Sequence, residues 1–240
     1  PLHFTPVEES TINALGNFHS YLYLSTFGMK IMKDAYKNYD KMDNHLLPHF
    51  IDHDEFYGSL NGMTGEKFRE LIGITQKEKE QNKKIFLVSM VARNSEESNR
   101  KCFDLNVCGF KKLLDKNVNA YLYLHTGIVG KVNIACCINY YGIPHERILF
   151  PKQEKIVTSG FLSDYMYGIY LGSDVLLACS GSEGFGLPIL EAQLFKCPVV
   201  TTKCTAMLDY LFYGEYVKVL DDKYVYANAS YWYIPDPDDI

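Results

Sequence analysis

The chain carries, in its carboxyl-terminal third, the stretch Ser180-Gly181-Ser182-Glu183-Gly184-Phe185-Gly186-Leu187-Pro188-Ile189-Leu190-Glu191-Ala192. It follows an apolar run, residues 174–179, that is typical of a buried strand, and its second half has the spacing of a helix. Gly184 and Gly186 allow backbone amides to approach a ligand closely. Pro188 suits a first helical turn, where the missing N–H has no partner to lose. The stretch therefore predicts a strand, a tight glycine-containing turn and a helix.

The same alternation of short apolar runs and helical segments extends on both sides of this stretch. Predicted strands cover residues 85–91, 120–125, 147–150, 174–179 and 198–202. Predicted helices cover residues 104–116, 131–141, 163–171, 188–195 and 205–212. Because the connections are short and the strands are apolar throughout, the pattern predicts an α/β fold with a Rossmann-like parallel sheet covered by helices on both faces.

Residues 1–83 are less regular than the rest of the chain. The pattern predicts a strand at 18–25, a helix at 28–36, a connector at 44–54 and two polar helices at 66–72 and 76–84. These two polar helices are expected between two domains. The chain begins with Pro1 rather than methionine, and we expect it to be a fragment of a longer protein.

Composition excludes some classes of function. The formal net charge is -5, with acids and bases interspersed, so the basic stripe that nucleic-acid binding requires is absent from the sequence. Seven cysteines without a CxxC pair indicate reduced thiols packed as small hydrophobes. No apolar run is long enough to span a bilayer. We expect a cytoplasmic protein, and peripheral contact with a membrane stays open.

The predicted turn has the features of a phosphate site. Free amides at a helix amino terminus bind phosphate, and ligands of open α/β sheets bind beyond the carboxyl ends of the strands. A diphosphate would repel the flanking acids Glu183 and Glu191, so we expect these to accept hydrogen bonds from hydroxyl groups of a sugar and a ribose. Such charge-assisted bonds contribute about 1.5–3 kcal/mol each when well formed.

Two other interpretations of these acids stay open. A hydrolytic carboxylate pair needs a separation of about 5–5.5 Å or about 6.5–9.5 Å. Residues eight apart on one helix lie about 12 Å apart along its axis, although the break around Gly186 loosens that estimate. In the simplest alternative, the stretch is a loop-to-helix turn in which Glu191 only complements the helix dipole.

The stretch resembles the signature of glycosyltransferase family 4, a family of retaining enzymes. The resemblance rests first on Glu183 and Glu191, two glutamates separated by seven residues around Gly184-Phe185-Gly186-Leu187-Pro188. Further similar segments are Pro198-Val199-Val200, Val91-Ala92-Arg93-Asn94 with Arg100-Lys101, Ser173-Asp174-Val175, Leu47-Pro48-His49-Phe50-Ile51-Asp52 and Ser25-Thr26-Phe27-Gly28. The similarity therefore covers most of the chain.

The resemblance implies a GT-B fold, with two facing Rossmann-like domains and the donor nucleotide sugar in the carboxyl-terminal one. Residues 1–54 would be a remnant of the amino-terminal acceptor domain with its connector, 55–83 a helical interdomain segment, and 84–240 the nucleotide-sugar-binding domain. The reaction implied is transfer of a sugar from GDP-mannose or a UDP-hexose to an unknown carbohydrate, lipid or protein acceptor, with retention. The family generally uses no metal, so we expect no cofactor.

By the same resemblance, Glu183 faces the hydroxyls of the transferred sugar and Glu191 faces the ribose. The expected catalytic residues are Glu183, Arg93 and Lys101. The expected donor-binding residues are Gly184, Phe185, Gly186, Leu187, Pro188, Glu191, Phe161 and Ser163, the last two near the base. Alternative functions on the same fold are a non-catalytic nucleotide-sugar-binding module and a nucleotide-sugar epimerase or hydrolase.

Physical reasoning supports a cationic clamp independently of the resemblance. A helix terminus contributes about 0.3–1 kcal/mol at exposed sites and about 2 kcal/mol when partly buried. Stabilising a departing diphosphate requires more than that, so fixed cations must contribute. Arg93 and Lys101, with Arg100, are the basic residues near the carboxyl end of the first strand of the sheet domain. The alternative is a solvated charge patch.

Three positions depart from the family pattern. Cys102 and Phe50 stand where the family often has glycine, and Lys196 occupies the helix-ending position usually taken by glycine. A left-handed residue other than glycine costs about 1–2 kcal/mol. These departures concern the geometry of loops rather than the fold.

Other features give weaker indications. His45, His49 and His53 recur every fourth residue, but Pro48 interrupts any helix that would present them to a metal, and we expect no metal there. His125 ends a predicted strand at the edge of the site. A contact with ligand and packing in the core or at the rim of the site are equally good interpretations of this residue. The tail from Tyr224 to Tyr233, with Trp232, fits packing as an edge strand or loop better than a sugar-stacking platform.

Overall fold

The computed structural model of the chain describes residues 18–95, 99–227 and 230–240, without the side chains of residues 53, 55 and 221–231. The strands are β1 (Ser20–Tyr23), β2 (Asp43–Leu46), β3 (Phe86–Val91), β4 (Ala120–His125), β5 (Ile148–Leu149), β6 (Val175–Ala178), β7 (Val199–Thr202), β8 (Gly214–Val217), β9 (Val219–Ala227) and β10 (Ser230–Pro235). The α-helices are α1 (Thr26–Ala35), α2 (His53–Gly58), α3 (Gly65–Leu71), α4 (Ile74–Gln81), α5 (Phe103–Asp115), α6 (Ile134–Tyr140), α7 (Gln153–Val157), α8 (Ser163–Gly172) and α9 (Leu187–Leu194).

A six-stranded parallel sheet forms the centre of the protein. Its strand order is β5-β4-β3-β6-β7-β8, and every neighbouring pair is parallel. Numbered within the sheet, this is the doubly wound order 3-2-1-4-5-6, in which the direction of winding reverses between β3 and β6. The predicted Rossmann-like fold is confirmed, and the reversal creates a crevice at the carboxyl ends of these two strands.

Both faces of the sheet are covered. On one face, Val88 and Met90 of β3 pack with Phe103 and Phe110 of α5. On the other face, Leu87 packs with side chains from β4, α8 and α3 in a separate cluster. All six residues of β4 are buried, which explains why this strand is a continuous apolar run rather than an alternating one.

Helix α3 packs directly on the sheet domain. Phe68 is fully buried among residues of the sheet and α8, and an added Cβ at Gly172 would lie 2.7 Å from its ring. Arg69 donates to the carbonyl oxygen of Gly172 and to that of Ile85, at 2.9 and 2.6 Å. The predicted helices at 66–72 and 76–84 are present as α3 and α4, and they share the core of the sheet domain. The division of the chain into domains stays a prediction.

The amino-terminal part contains a strand that the sequence did not predict. The expected connector at 44–54 begins inside β2, which pairs in parallel with β1, and ends at α2. The sequence of β2, Asp-Asn-His-Leu, has no apolar alternation, because its residues are largely exposed. Pairing with β1, rather than a buried face, makes this segment a strand.

The carboxyl-terminal part differs from the prediction at one helix. The α-helix expected at 205–212 is a 3-10 helix, Thr205–Asp209, and the following strand β8 was missed. Thr205, its first residue, has a φ of +50°, which lies outside the range of a regular helix. Beyond β8, β9 and β10 form an antiparallel pair, and Trp232 is buried. Packing of Trp232 is therefore confirmed, whereas the side chains of 224–231 lie outside the described residues.

Two departures from the family pattern fall where glycine is favoured. Lys196, just beyond α9, has a φ of +58°, and Cys102, just before α5, has a φ of +47°. Both residues have the left-handed backbone conformation that glycine adopts most easily, and glycine is the usual residue at these positions. Phe50 is exposed and has no comparable constraint.

Candidate functional site

A cleft of about 1180 Å³ opens where the winding of the sheet reverses. Its walls come from the segments that follow β3 and β4, from α7 and the loop after it, and from the start of α9. Among its lining residues are Arg93, Lys101, His125, Thr126, Phe161 and Pro188. The cleft therefore lies at the carboxyl edge of the sheet, where ligands of this architecture bind.

The turn between β6 and α9 is fixed by backbone contacts at Gly181. Its N–H donates to the carbonyl of Arg100 at 2.8 Å, and its carbonyl accepts from the N–H of Tyr233 at 2.9 Å. An added Cβ would lie 2.6 Å from the carbonyl oxygen of Tyr233. The segment after β3, the turn and β10 are consequently tied together at one glycine.

Gly186 gives the turn its shape. It has a φ of +90° and is the residue immediately before α9, and an added Cβ would lie 2.8 Å from the hydroxyl of Tyr210. Within the described ranges, no hydrogen bond uses the backbone N–H of Gly184, Phe185, Gly186 or Leu187. Gly184 and Leu187 are also exposed. These amides fit the predicted phosphate cradle, because they are free and lie at the positive end of a helix.

The side chain of Phe185 has a structural role. It is buried, stacks on Tyr210 with ring centroids 4.7 Å apart, and meets the ring of His49 edge to face at 5.0 Å. The ring of Phe185 therefore packs inside the domain and is not presented to a ligand. The contact with His49 also links the turn to the segment after β2.

Two cations hold the carboxylate of Glu183. Lys101 Nζ lies 2.6 Å from Oε1, and Arg100 Nη1 lies 3.2 Å from Oε2. Arg100 also donates to the carbonyl of Ser182 at 2.6 Å. The Glu183 side chain is only 10% exposed, so these contacts are shielded from solvent far more than those of a surface ion pair. The fold thus joins Glu183 and Lys101, two of the three predicted catalytic residues.

Arg93 lies in the same cleft but outside this cluster. It is exposed and, within the described ranges, has no hydrogen bond or ion pair. Its guanidinium is therefore available to a bound anion, and it can act on a diphosphate without giving up a protein partner.

Glu191 lies in a different environment from Glu183. Tyr170 donates its hydroxyl to Glu191 Oε2 at 2.6 Å. Burial raises the pKa of the Glu191 carboxyl, and the hydrogen bond from Tyr170 opposes this shift. Glu191 lies in the second turn of α9, beyond the first turn where a carboxylate complements the helix dipole. A role limited to the dipole therefore does not fit its position.

The far end of the cleft is aromatic. Phe161 contacts the ring of His125 edge to face at 5.0 Å and stacks on Tyr165 at 4.5 Å. Burial lowers the pKa of His125 to about 4, so its imidazole is neutral at pH 7. Ser163 begins α8, is exposed and is not among the residues that line the cleft. Of the two residues expected near the base, the structure thus places Phe161 in the cleft wall.

Asn94 and Arg100 were not predicted as site residues. The side chain of Asn94 donates to the carbonyls of Gly127 and Val132 and accepts from the N–H of Val132, which joins two walls of the cleft. Arg100 was noted only as a nearby base. No local pattern identifies either contact, because each partner lies more than 30 positions away along the chain.

The three histidines of the weak metal pattern are not arranged on one helix. His45 Nε2 lies 2.8 Å from Asp43, and His49 contacts Phe185, while the side chain of His53 lies outside the described residues. Across the described ranges, no three or more His, Cys, Asp and Glu side chains are grouped as metal ligands. The absence of a metal requirement stays a prediction.

None of the described helices combines the length and apolarity needed to cross a bilayer.

Comparison with known proteins identifies relatives. A curated protein from Sulfolobus islandicus rod-shaped virus 1, named uncharacterized glycosyltransferase 335, is 32% identical over 91 residues, which cover 35% of this chain and 27% of that protein. The structure resembles a glycosyltransferase from Rickettsia africae (TM-score 0.62, 18% identity, 88% of this chain and 53% of that one). It also resembles sucrose-phosphate synthase from Thermosynechococcus elongatus (TM-score 0.65, 17% identity, 87% and 47%).

These similarities show the fold, and the chain spans about half the length of the solved structures and about a quarter of the curated relative. A family match is more extensive. The family described as glycosyl transferases group 1 matches residues 87–228, which is more than half of the 240 residues and includes most of β3, the cleft and the turn before α9. The chain belongs to the glycosyl transferases group 1 family.

Proposed function

We propose that the protein transfers a sugar from a nucleotide-diphosphate sugar, GDP-mannose or a UDP-hexose, to a carbohydrate, lipid or protein acceptor with retention. The observation that carries the proposal is the meeting of three features in or directly beside one cleft. These are the free amides before α9, the cations Arg93 and Lys101, and the carboxylate of Glu183. The amides suit a phosphate, and the cations suit a leaving group whose negative charge grows. The carboxylate suits a polyhydroxylated sugar.

In this proposal the amides of Gly186 and Leu187 hold the diphosphate while Arg93 and Lys101 stabilise its departure. Glu183 accepts hydrogen bonds from the transferred sugar. Tyr170 is the hydrogen-bond donor recorded for Glu191 within the described residues, and it occupies Oε2. Oε1 is left for a ribose hydroxyl. The acceptor hydroxyl attacks on the same face and gives its proton to the leaving phosphate, which accounts for retention. We propose no metal in this reaction.

A hydrolase or epimerase on this fold is less well supported. Water activation needs a carboxylate free to exchange a proton, whereas Glu183, the acid beside the cleft, is engaged by Lys101 and Arg100. A non-catalytic nucleotide-sugar-binding module has the same cleft, so only an assay of turnover separates it from the transferase.

Incubation of the full chain with radiolabelled GDP-mannose or UDP-glucose and a mixture of acceptors tests the proposal. Label in an acceptor product supports the transferase, and a retained anomeric configuration in that product supports the proposed mechanism. Release of free labelled sugar would indicate a hydrolase. Bound but unchanged donor would indicate a binding module, and either result contradicts the proposal.

A further inference from the structure

The backbone of Glu183 is held by a residue with an unusual conformation. Thr205 has a φ of +50°, in the left-handed region, where a β-branched residue is a genuine outlier. Its side chain is buried, and its hydroxyl oxygen accepts a hydrogen bond from the N–H of Glu183 at 3.0 Å. Conformations of this kind persist only where the surrounding structure enforces them, and they concentrate at functional sites.

Glu183 is therefore fixed from two sides. Lys101 and Arg100 hold its carboxylate, and Thr205 holds its main chain. The bonds come from different segments, since the cations precede α5 and Thr205 follows β7. A side chain anchored only at its carboxylate would move with the cations when a diphosphate draws Lys101 towards itself. The hydrogen bond from the Glu183 N–H to Thr205 resists that movement.

The chain contains a matched threonine without this role. Thr202, three residues earlier on β7, is fully buried, and its hydroxyl has no hydrogen-bond partner among the described residues. Loss of a hydroxyl at Thr202 removes a buried polar group and leaves the Glu183 turn untouched. Comparison of the two positions separates positioning of Glu183 from general effects of packing.

We propose that Thr205 is a positioning residue whose hydroxyl fixes the Glu183 backbone, so that the carboxylate meets the transferred sugar in the reactive geometry. The inference rests on the proposed function, because it assigns Glu183 to the sugar. It gives a function to the strained conformation of Thr205, which does not itself contact the cleft.

The test uses Thr205→Val, Thr205→Ser and Thr202→Val in the full chain. Transfer kinetics with the radiolabelled donor give kcat and KM, calorimetry gives the affinity for GDP or UDP, and NMR gives hydrogen exchange at the Glu183 amide. Thr205→Val should lower kcat by about tenfold or more, because misplacement of a reacting group by about 1 Å costs up to about 100-fold. Nucleoside diphosphate affinity should stay within about twofold, since the amide cradle is intact.

Thr205→Ser keeps the hydroxyl and should restore both kcat and slow exchange, and Thr202→Val should behave as the wild type. Equal losses of kcat in Thr205→Val and Thr202→Val, or failure of serine to restore it, would overturn the inference. If the wild type transfers no sugar, the proposed function fails separately. Hydrogen exchange at the Glu183 amide then tests the role of Thr205 by itself. Faster exchange in Thr205→Val alone supports positioning of the Glu183 backbone by Thr205, and unchanged exchange refutes it.

Discussion

Glu183 and Glu191 are close in sequence but differ in their contacts. Glu183 is paired with Lys101 and Arg100 beside the cleft, whereas Glu191 accepts from Tyr170 inside the domain. The environment of each acid decides which part of a ligand it can serve. In the proposed function, Glu183 acts on the reacting sugar, whereas Glu191, a partly buried residue of α9 beside Tyr170, contributes to nucleotide affinity.

We therefore expect Glu183→Ala to lower turnover much more than it weakens binding of GDP or UDP. Glu191→Ala should weaken nucleotide binding by about 1.5–3 kcal/mol, the contribution of a hydrogen bond to a charged group. Calorimetry with the nucleoside diphosphate and steady-state kinetics measure the two effects. Equal loss of nucleotide affinity in both variants would contradict the assigned roles.

The burial of His125 predicts that the free energy of unfolding depends on pH. Burial lowers its folded pKa to about 4 from the ordinary 6.5, so the unfolded chain binds a proton more readily between these values. Stability from this group is complete above pH 6.5 and falls as pH decreases towards 4. Between pH 7 and pH 5 the loss should be on the order of 2 kcal/mol.

Urea unfolding at pH 7 and pH 5 measures this loss, with His125→Asn and His145→Asn compared with the wild type. His125→Asn should lose less stability on acidification, because the buried imidazole is gone. The matched control is His145→Asn, because His145 lies exposed at the surface, hydrogen-bonded to Asn139. Identical pH dependence in all three proteins would refute the prediction.

At the scale of elements, one arginine joins α3 and α4 to the sheet. Arg69 pairs with Glu78 of α4 at 2.8 Å and with Asp174, which precedes β6, at 3.3 Å. Its side chain is 13% exposed, so this network is largely shielded from water. The two helices are thereby fixed to the amino ends of β3 and β6, at the edge of the sheet opposite the cleft.

Arg69→Met should lower the free energy of unfolding by about 1.5–3 kcal/mol, because it removes charge-assisted hydrogen bonds to two partly exposed carboxylates. Urea denaturation provides the measurement. Lys79→Met, on the exposed side of α4, is the matched control and should change stability by about 0.5 kcal/mol or less. A loss below about 1 kcal/mol in Arg69→Met would show that the network contributes little.

At the scale of the whole molecule, the cleft joins strand ends from both halves of the sheet, so a nucleotide that fills it should stabilise the domain. At a concentration 100-fold above Kd the gain is about 2.7 kcal/mol. For a chain of this size, that corresponds to a rise in Tm of roughly 5–10 °C. Thermal unfolding with GDP, UDP and ADP, measured separately, identifies the preferred base.

Arg93→Gln is the control for this measurement. Arg93 has no partner within the described ranges, so the Tm of the unliganded variant should equal that of the wild type. The rise in Tm with nucleotide should shrink, because a cation of the diphosphate site is lost. No rise with any of the three nucleotides would contradict a nucleotide site in the cleft.

Most of the sheet could be predicted from sequence because its strands are buried on both faces. The runs that became β3, β4, β6 and β7 are short and apolar, and each is followed by a predicted helix or loop. The strands β2 and β8, which were missed, have mostly exposed or half-buried residues. Hydrophobic periodicity reports burial, so it identifies central strands and overlooks polar edge strands.

The sequence by itself determined the alternation of strands and helices from β3 to β7, the tight glycine-containing turn around Gly186 and the helix that begins beside Pro188, since each depends on neighbours within a few residues. Only the tertiary structure decided that Arg100 and Thr205 hold Glu183 and that Tyr170 holds Glu191. The physical reason is that parallel strands are joined by long crossovers. Residues that meet at the carboxyl edge of the sheet are therefore distant in the chain, and no local pattern encodes their contact.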